Sequence, residues 1–144
     1  MSPQAIGISQ YTIFTGKIEQ TTVPSAHRQI DIFVNPSLDD SESFGVSVLE
    51  ASASGVPVVV SNVGGLKEVV KHLEAGLIVP PADTDKLTDA IAYLILHKDE
   101  RIRLGSNGIK HVKTHYDWKI NLDDIVKLYQ HLRLNAIDSH QMKN

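Results

Sequence analysis

Apolar positions in the first eighty residues fall in short runs cut by turn residues. Tyr11-Thr12-Ile13-Phe14 is β-branched and aromatic and stops at Gly16, which predicts a strand. Thr22 and Pro24 open a short helix over residues 23–30. Asp31-Ile32-Phe33-Val34 predicts a second strand, closed by Asn35-Pro36-Ser37. Residues 44–54 carry helical spacing, with Gly55 as the stop. Val58-Val59-Val60 is a buried strand, Gly64-Gly65 a turn, and residues 66–72 a helix. Leu77-Ile78-Val79 is the last short strand before Pro80-Pro81.

Beyond that point the pattern is helical. Leu87, Ala90, Ile91, Leu94 and Ile95 recur at i, i+3, i+4, and Asp83 or Thr84 supplies a cap. A second helix starts near Asp99, with Gly105 and Gly108 expected to weaken its middle. Asp117 can cap a third that carries Ile120, Ile125, Leu128, Tyr129 and Leu132, with Trp118 expected to anchor it in the core. The tail from Ala136 is polar and expected to fray.

Strands that are apolar throughout and alternate with helices imply an α/β fold, a parallel sheet covered on both faces. Ligands in such sheets bind beyond the carboxyl ends of the strands. Those ends are Gly16-Lys17-Ile18, residues 35–44 and residues 61–65.

Composition narrows the chemistry. One hundred and forty-four residues make one domain with a real core, and a net charge of −3 argues against a nucleic-acid partner. The absence of cysteine excludes a disulfide scaffold and thiolate zinc sites, and fits a reducing compartment. The first ten residues do not read as a signal peptide, and no apolar run is long enough to span a bilayer. A cytoplasmic location is the resulting expectation.

The stretch SESFGVSVLEA places Glu42 in a loop and Glu50 on the helix that follows. A helix beginning near Phe44-Gly45 offers free N–H groups and a partial positive charge, and Gly45 lets an anion come close. Glu50 lies about 9 Å further along the axis, within reach of the ribose hydroxyls of a bound nucleotide. Glu42 would face the other side of the phosphate, where a transferable group sits. The plainer alternative makes Glu42 a solvated loop residue beside a helix start and Glu50 a helix-edge carboxylate.

The stretch PSLDDSESFGVSVLEASASGVPVVVSNVGGLKEVV resembles the signature region of the retaining glycosyltransferases with the GT-B fold (glycosyltransferase family 4, glycosyl transferases group 1). The E-x7-E pair is Glu42 and Glu50, the phosphate turn Phe44-Gly45, and the G-V-P-V-V strand starts at Gly55. Gly64-Gly65-Leu66-Lys67-Glu68 and the run from Gly76 to Pro81 match as well. So do Phe14-Thr15-Gly16-Lys17-Ile18, residues 31–37 and Tyr116-Asp117-Trp118.

The resemblance implies a Rossmann-like donor-binding domain, part of the C-terminal half of a GT-B fold, over residues 11–132. Residues 1–10 are a lead-in and 133–144 a polar tail. It implies a hexosyltransferase using a nucleotide diphosphate sugar as donor substrate, with no cofactor and no metal. Glu50 would bind ribose and Glu42 the donor hexose in the catalytic centre. Ser43, Phe44, Gly45 and Val46 would hold the pyrophosphate, and Gly16, Lys17 and Ile18 would line the base pocket. Retention in such families is thought to proceed by front-face attack, without a protein nucleophile.

Family members also carry an N-terminal acceptor domain and a donor sheet of order 3-2-1-4-5-6. The first two strands of that sheet, expected between residues 11–14 and 31–34, have no counterpart, which implies a truncated or split chain. The expectations that follow are an inactive chain with self-association or a separate acceptor half as partner, and a segment 11–14 that pairs beside 31–34 or detaches. The alternative is a non-catalytic nucleotide-binding module or relic. His111 and His115 stand at i, i+4, but HVKTH lacks the glutamate of H-E-x-x-H and a nearby third ligand, so they read as solvated helix histidines. His27 reads as a surface residue, and Asn62 with Gly64-Gly65 as a tight turn.

Overall fold

The computed structural model describes residues 7–39 and 45–141. Three strands form one parallel sheet in the order β1 (Phe33–Asn35), β2 (Val58–Ser61), β3 (Gly76–Val79). Phe33 stands opposite Val58, and Val58 in turn opposite Gly76. The central strand β2 is buried at all four positions, as an apolar run flanked on both edges requires.

Alternate side chains of the sheet feed two cores. Val58 and Val60 join Val48, Ala51, Leu66, Val69 and Val70 of helices α2 (Val46–Ala53) and α3 (Leu66–Leu73). Val59 and Val79 join Leu94 of α4 (Thr84–Leu96) and Leu104 of α5 (Lys98–His115), with Ile32, Val34 and Leu77 beside them. The sheet therefore carries helices on both faces, as the apolar pattern predicts, and agrees with the Rossmann-like domain that the resemblance implies.

Local signals set the helix boundaries. Asp83 Oδ1 accepts the Lys86 N–H at 2.9 Å and starts α4. Asp117 Oδ1 accepts the Lys119 N–H at 2.8 Å and starts α6 (Trp118–Gln141). Helix α1 (Val23–His27) is shorter than its pattern, because Gln29 and Ile30 close back onto Ala26 and His27 in tighter turns.

Four expectations are corrected. Residues 11–14 form no strand. A 3-10 turn at Ser9–Tyr11 leads into extended backbone, and Tyr11, Ile13 and Phe14 are exposed; without a neighbouring strand, β-propensity alone does not make a ladder. That segment has detached from the sheet. Gly105 and Gly108 do not break α5; both are buried where α5 crosses α2, and a Cβ on Gly105 would lie 2.1 Å from the Gly55 carbonyl oxygen. Trp118 is not in the core but 73% exposed. Helix α6 continues through Ala136 to Gln141.

Candidate functional site

Helix α2 starts where the chain turns through Gly45, in the left-handed region at φ 67°. A Cβ there would lie 2.5 Å from Leu66 Cδ2, so both conformation and space select glycine. The Gly45 carbonyl accepts the N–H of Val48 at 2.9 Å and of Leu49 at 3.2 Å. The amides of Val46 and Ser47 come before these, in the turn whose N–H groups a helix leaves without internal partners.

One turn further on, Glu50 is half-buried and accepts a 2.9 Å hydrogen bond from Gln20 Nε2. Its carboxylate lies on the wall of a pocket of about 700 Å³ between the segment preceding β1 and the first turns of α2. Ile13, Thr15, Ile18, Phe33, Ser47 and Glu50 contribute to that wall. Most of the lining is apolar, with hydroxyls from Thr15, Thr22, Ser25 and Ser47, a composition suited to a flat ring with polar edges.

His27 also lines this pocket, and the expectation of a surface histidine is corrected. It is buried, with its ring edge-on to Phe33 at 5.6 Å, and its Nδ1 has no hydrogen-bond partner among the described residues. The reason is packing: α1 lies against α2, which turns the His27 ring onto Phe33 of β1.

The sequence-predicted residues divide. Ile18 and Glu50 meet in one pocket, and Gly45 and Val46 stand at the α2 start beside it. Gly16 and Lys17 are exposed and do not form part of its wall, although Thr15 and Ile18 on either side do. Glu42, Ser43 and Phe44 lie outside the described residues. The turn at Gly64-Gly65 forms as expected, and the Asn62 N–H donates to the Val79 carbonyl at 2.8 Å. Sequence reasoning missed Ser47 and Gln20. Ser47 was discoverable, since it precedes Glu50 by three on the same helix face; Gln20 carries no local signal.

The sequence profile of the family described as Glycosyl transferases group 1 matches residues 3–111. The chain belongs to the glycosyl transferases group 1 family. Among curated relatives, the GDP-mannose-dependent alpha-(1-6)-phosphatidylinositol monomannoside mannosyltransferase of Mycobacterium tuberculosis is 34% identical over 117 residues, 78% of this chain and 30% of that protein. The sucrose-phosphate synthase structure from Thermosynechococcus elongatus superposes with a TM-score of 0.82 at 31% identity, over 92% of this chain and 33% of that one. The Anabaena protein HepE, solved in complex with UDP, shares the fold with a TM-score of 0.80 at 22% identity, over 90% of this chain and 35% of that one.

The group 1 glycosyltransferase chain described here thus spans about a third of the length of the relatives it matches. Its sheet is the Rossmann-like sheet of its GT-B neighbours. Among the described residues, no helix is long and apolar enough to cross a membrane.

Proposed function

We propose that this chain is the donor-binding part of a retaining hexosyltransferase that moves a hexose from a nucleotide diphosphate sugar to an acceptor held elsewhere. One observation carries the reading: Glu50 and Ile18, thirty-two residues apart, meet on the wall of one pocket of about 700 Å³ beside a helix that starts at a left-handed glycine. The helix start supplies amides and a partial positive charge for the diphosphate. The Glu50 carboxylate accepts from the ribose hydroxyls, and the apolar wall around Ile18 covers the base. Glu42 contacts the hexose in this reading. Helix amides would take much of the leaving diphosphate's charge, so the proposal includes no metal at this site. The proposed place of action is the cytoplasm, in keeping with a chain free of cysteine.

Calorimetry of the chain with UDP, GDP and ADP tests this. Saturable binding of one of them is expected, and Glu50→Gln should weaken it by about 10- to 150-fold, the loss of one hydrogen bond to a charged partner at about 1.5–3 kcal/mol. Failure of all three nucleotides to bind rejects the reading. In a protein that contains the acceptor half as well, Glu42→Gln should depress transfer more than diphosphate binding. Equal effects of both changes on UDP or GDP affinity contradict the separate roles.

A further inference from the structure

The wall of the Glu50 pocket contains a polar side chain that packing alone does not explain. His27, the last residue of α1, is 9% exposed and shares that wall with Ile18, Phe33 and Glu50. Its ring meets Phe33 edge-on, with centroids 5.6 Å apart and planes at 86°. The two ring nitrogens differ. Nδ1 is sealed from solvent and has no hydrogen-bond partner among the described residues. Nε2 is not sealed in this way, and among the described residues nothing bonds it either.

Other polar groups on the same wall are engaged. The Thr22 hydroxyl donates to the Glu19 carbonyl at 2.8 Å, Gln29 Nε2 donates to the Ser25 carbonyl at 3.2 Å, and Glu50 accepts from Gln20. His27 is the exception. A buried polar atom without a partner is costly, and folded proteins keep few of them. Phenylalanine would fill the same corner, keep the aromatic contact with Phe33 and leave no nitrogen unpaired. A histidine here gains its advantage only when something in the pocket bonds the open nitrogen.

The nucleobase is the part of the proposed ligand left for that contact. The ribose hydroxyls go to Glu50 and the phosphates to the start of α2. The base is a flat ring with donors and acceptors on its edge, and an imidazole nitrogen can serve as either partner. We propose that His27 discriminates among nucleobases at this site, its Nε2 bonding the polar edge of the base while Ile18 and Phe33 pack against the ring. This rests on the donor reading and adds a selectivity to it. A purely apolar wall separates similar ligands weakly, whereas a site built to hydrogen-bond its ligand rejects one that leaves the polar group unpaired.

Calorimetry of the wild type and of His27→Phe with UDP, GDP and ADP tests the assignment. The wild type should prefer one of the three by about 5- to 150-fold, the effect of leaving a buried polar group unpaired. His27→Phe should remove most of that preference by weakening the favoured nucleotide. Glu50→Gln should instead weaken all three alike, since they carry the same ribose. The favoured nucleotide should also move the Nε2 chemical shift of His27 in the wild type, a measurement that decides the matter if His27→Phe does not fold. Binding of none of the three removes the donor reading and this assignment with it. Saturable binding overturns the assignment alone if the wild type shows no preference, if a folded His27→Phe keeps the preference, or if the His27 ring signal stays in place.

Discussion

Among the described residues Glu50 accepts a hydrogen bond from Gln20, and an ionised carboxylate has room for about four. The remaining acceptor sites give Glu50 its place in the proposed ribose contact, and Gln20 holds it in position until a ligand arrives. Gly45 constrains the same corner more tightly. Gly45→Ala would force a side chain into the left-handed region and drive its Cβ against Leu66, a fully buried residue. Those two costs together come to about 2–5 kcal/mol. A urea midpoint lowered by that loss divided by the denaturant slope is expected, with nucleotide affinity falling in the fraction that stays folded; an unchanged midpoint refutes this account of the turn. Glu50 and Gly45 were legible in the sequence because their chemistry is local: a carboxylate on an apolar helix and a glycine at its start. His27 and Gln20 were not, since a histidine's burial and a contact thirty residues away depend on how α1 and the preceding turn fold against β1 and α2.

At the scale of elements, strands β1 to β3 and helix α4 were readable because their signals are local: short unbroken apolar runs, and an aspartate that caps. The segment at residues 11–14 has the composition of a strand but no neighbour to pair with, and composition cannot report a neighbour's absence. The glycines of α5 misled for the converse reason. Helix propensity penalises them by about 0.8–1.0 kcal/mol each against alanine, so an isolated helix would gain from Gly105→Ala. In this fold the added Cβ would lie 2.1 Å from the Gly55 carbonyl oxygen, which is backbone and cannot swing aside. Overpacking costs about 1–3 kcal/mol and should win. The expected result is a melting temperature below wild type for Gly105→Ala. A rise would mean that α5 does not meet α2 through these glycines.

At the scale of the whole molecule, both edge strands of the described sheet, β1 and β3, have an unpaired flank. Among the described residues, β1 pairs with β2 alone, and α6 exposes Trp118, Leu128, Tyr129 and Leu132 along its length, while Tyr11, Ile13 and Phe14 are exposed before α1. Exposed apolar side chains beside an unpaired strand edge favour self-association or a partner chain. Transfer is the harder demand. It needs donor and acceptor held together, and charge stabilised on the leaving diphosphate as the bond to the hexose breaks. Lys17, the lysine nearest the Ile18 wall in sequence, is exposed and stands outside that wall, so the proposed diphosphate contact falls to the α2 amides rather than to this cation. In the proposed reading those amides hold the diphosphate, but they do not position an acceptor. The 144-residue chain, supplied with labelled UDP- or GDP-hexose and no other polypeptide, is therefore expected to bind nucleotide without transferring sugar, and to elute from a sizing column ahead of a monomer. A monomeric fraction that transfers the label at an ordinary enzymatic rate would show that the acceptor site and the missing positive charge both lie within these residues.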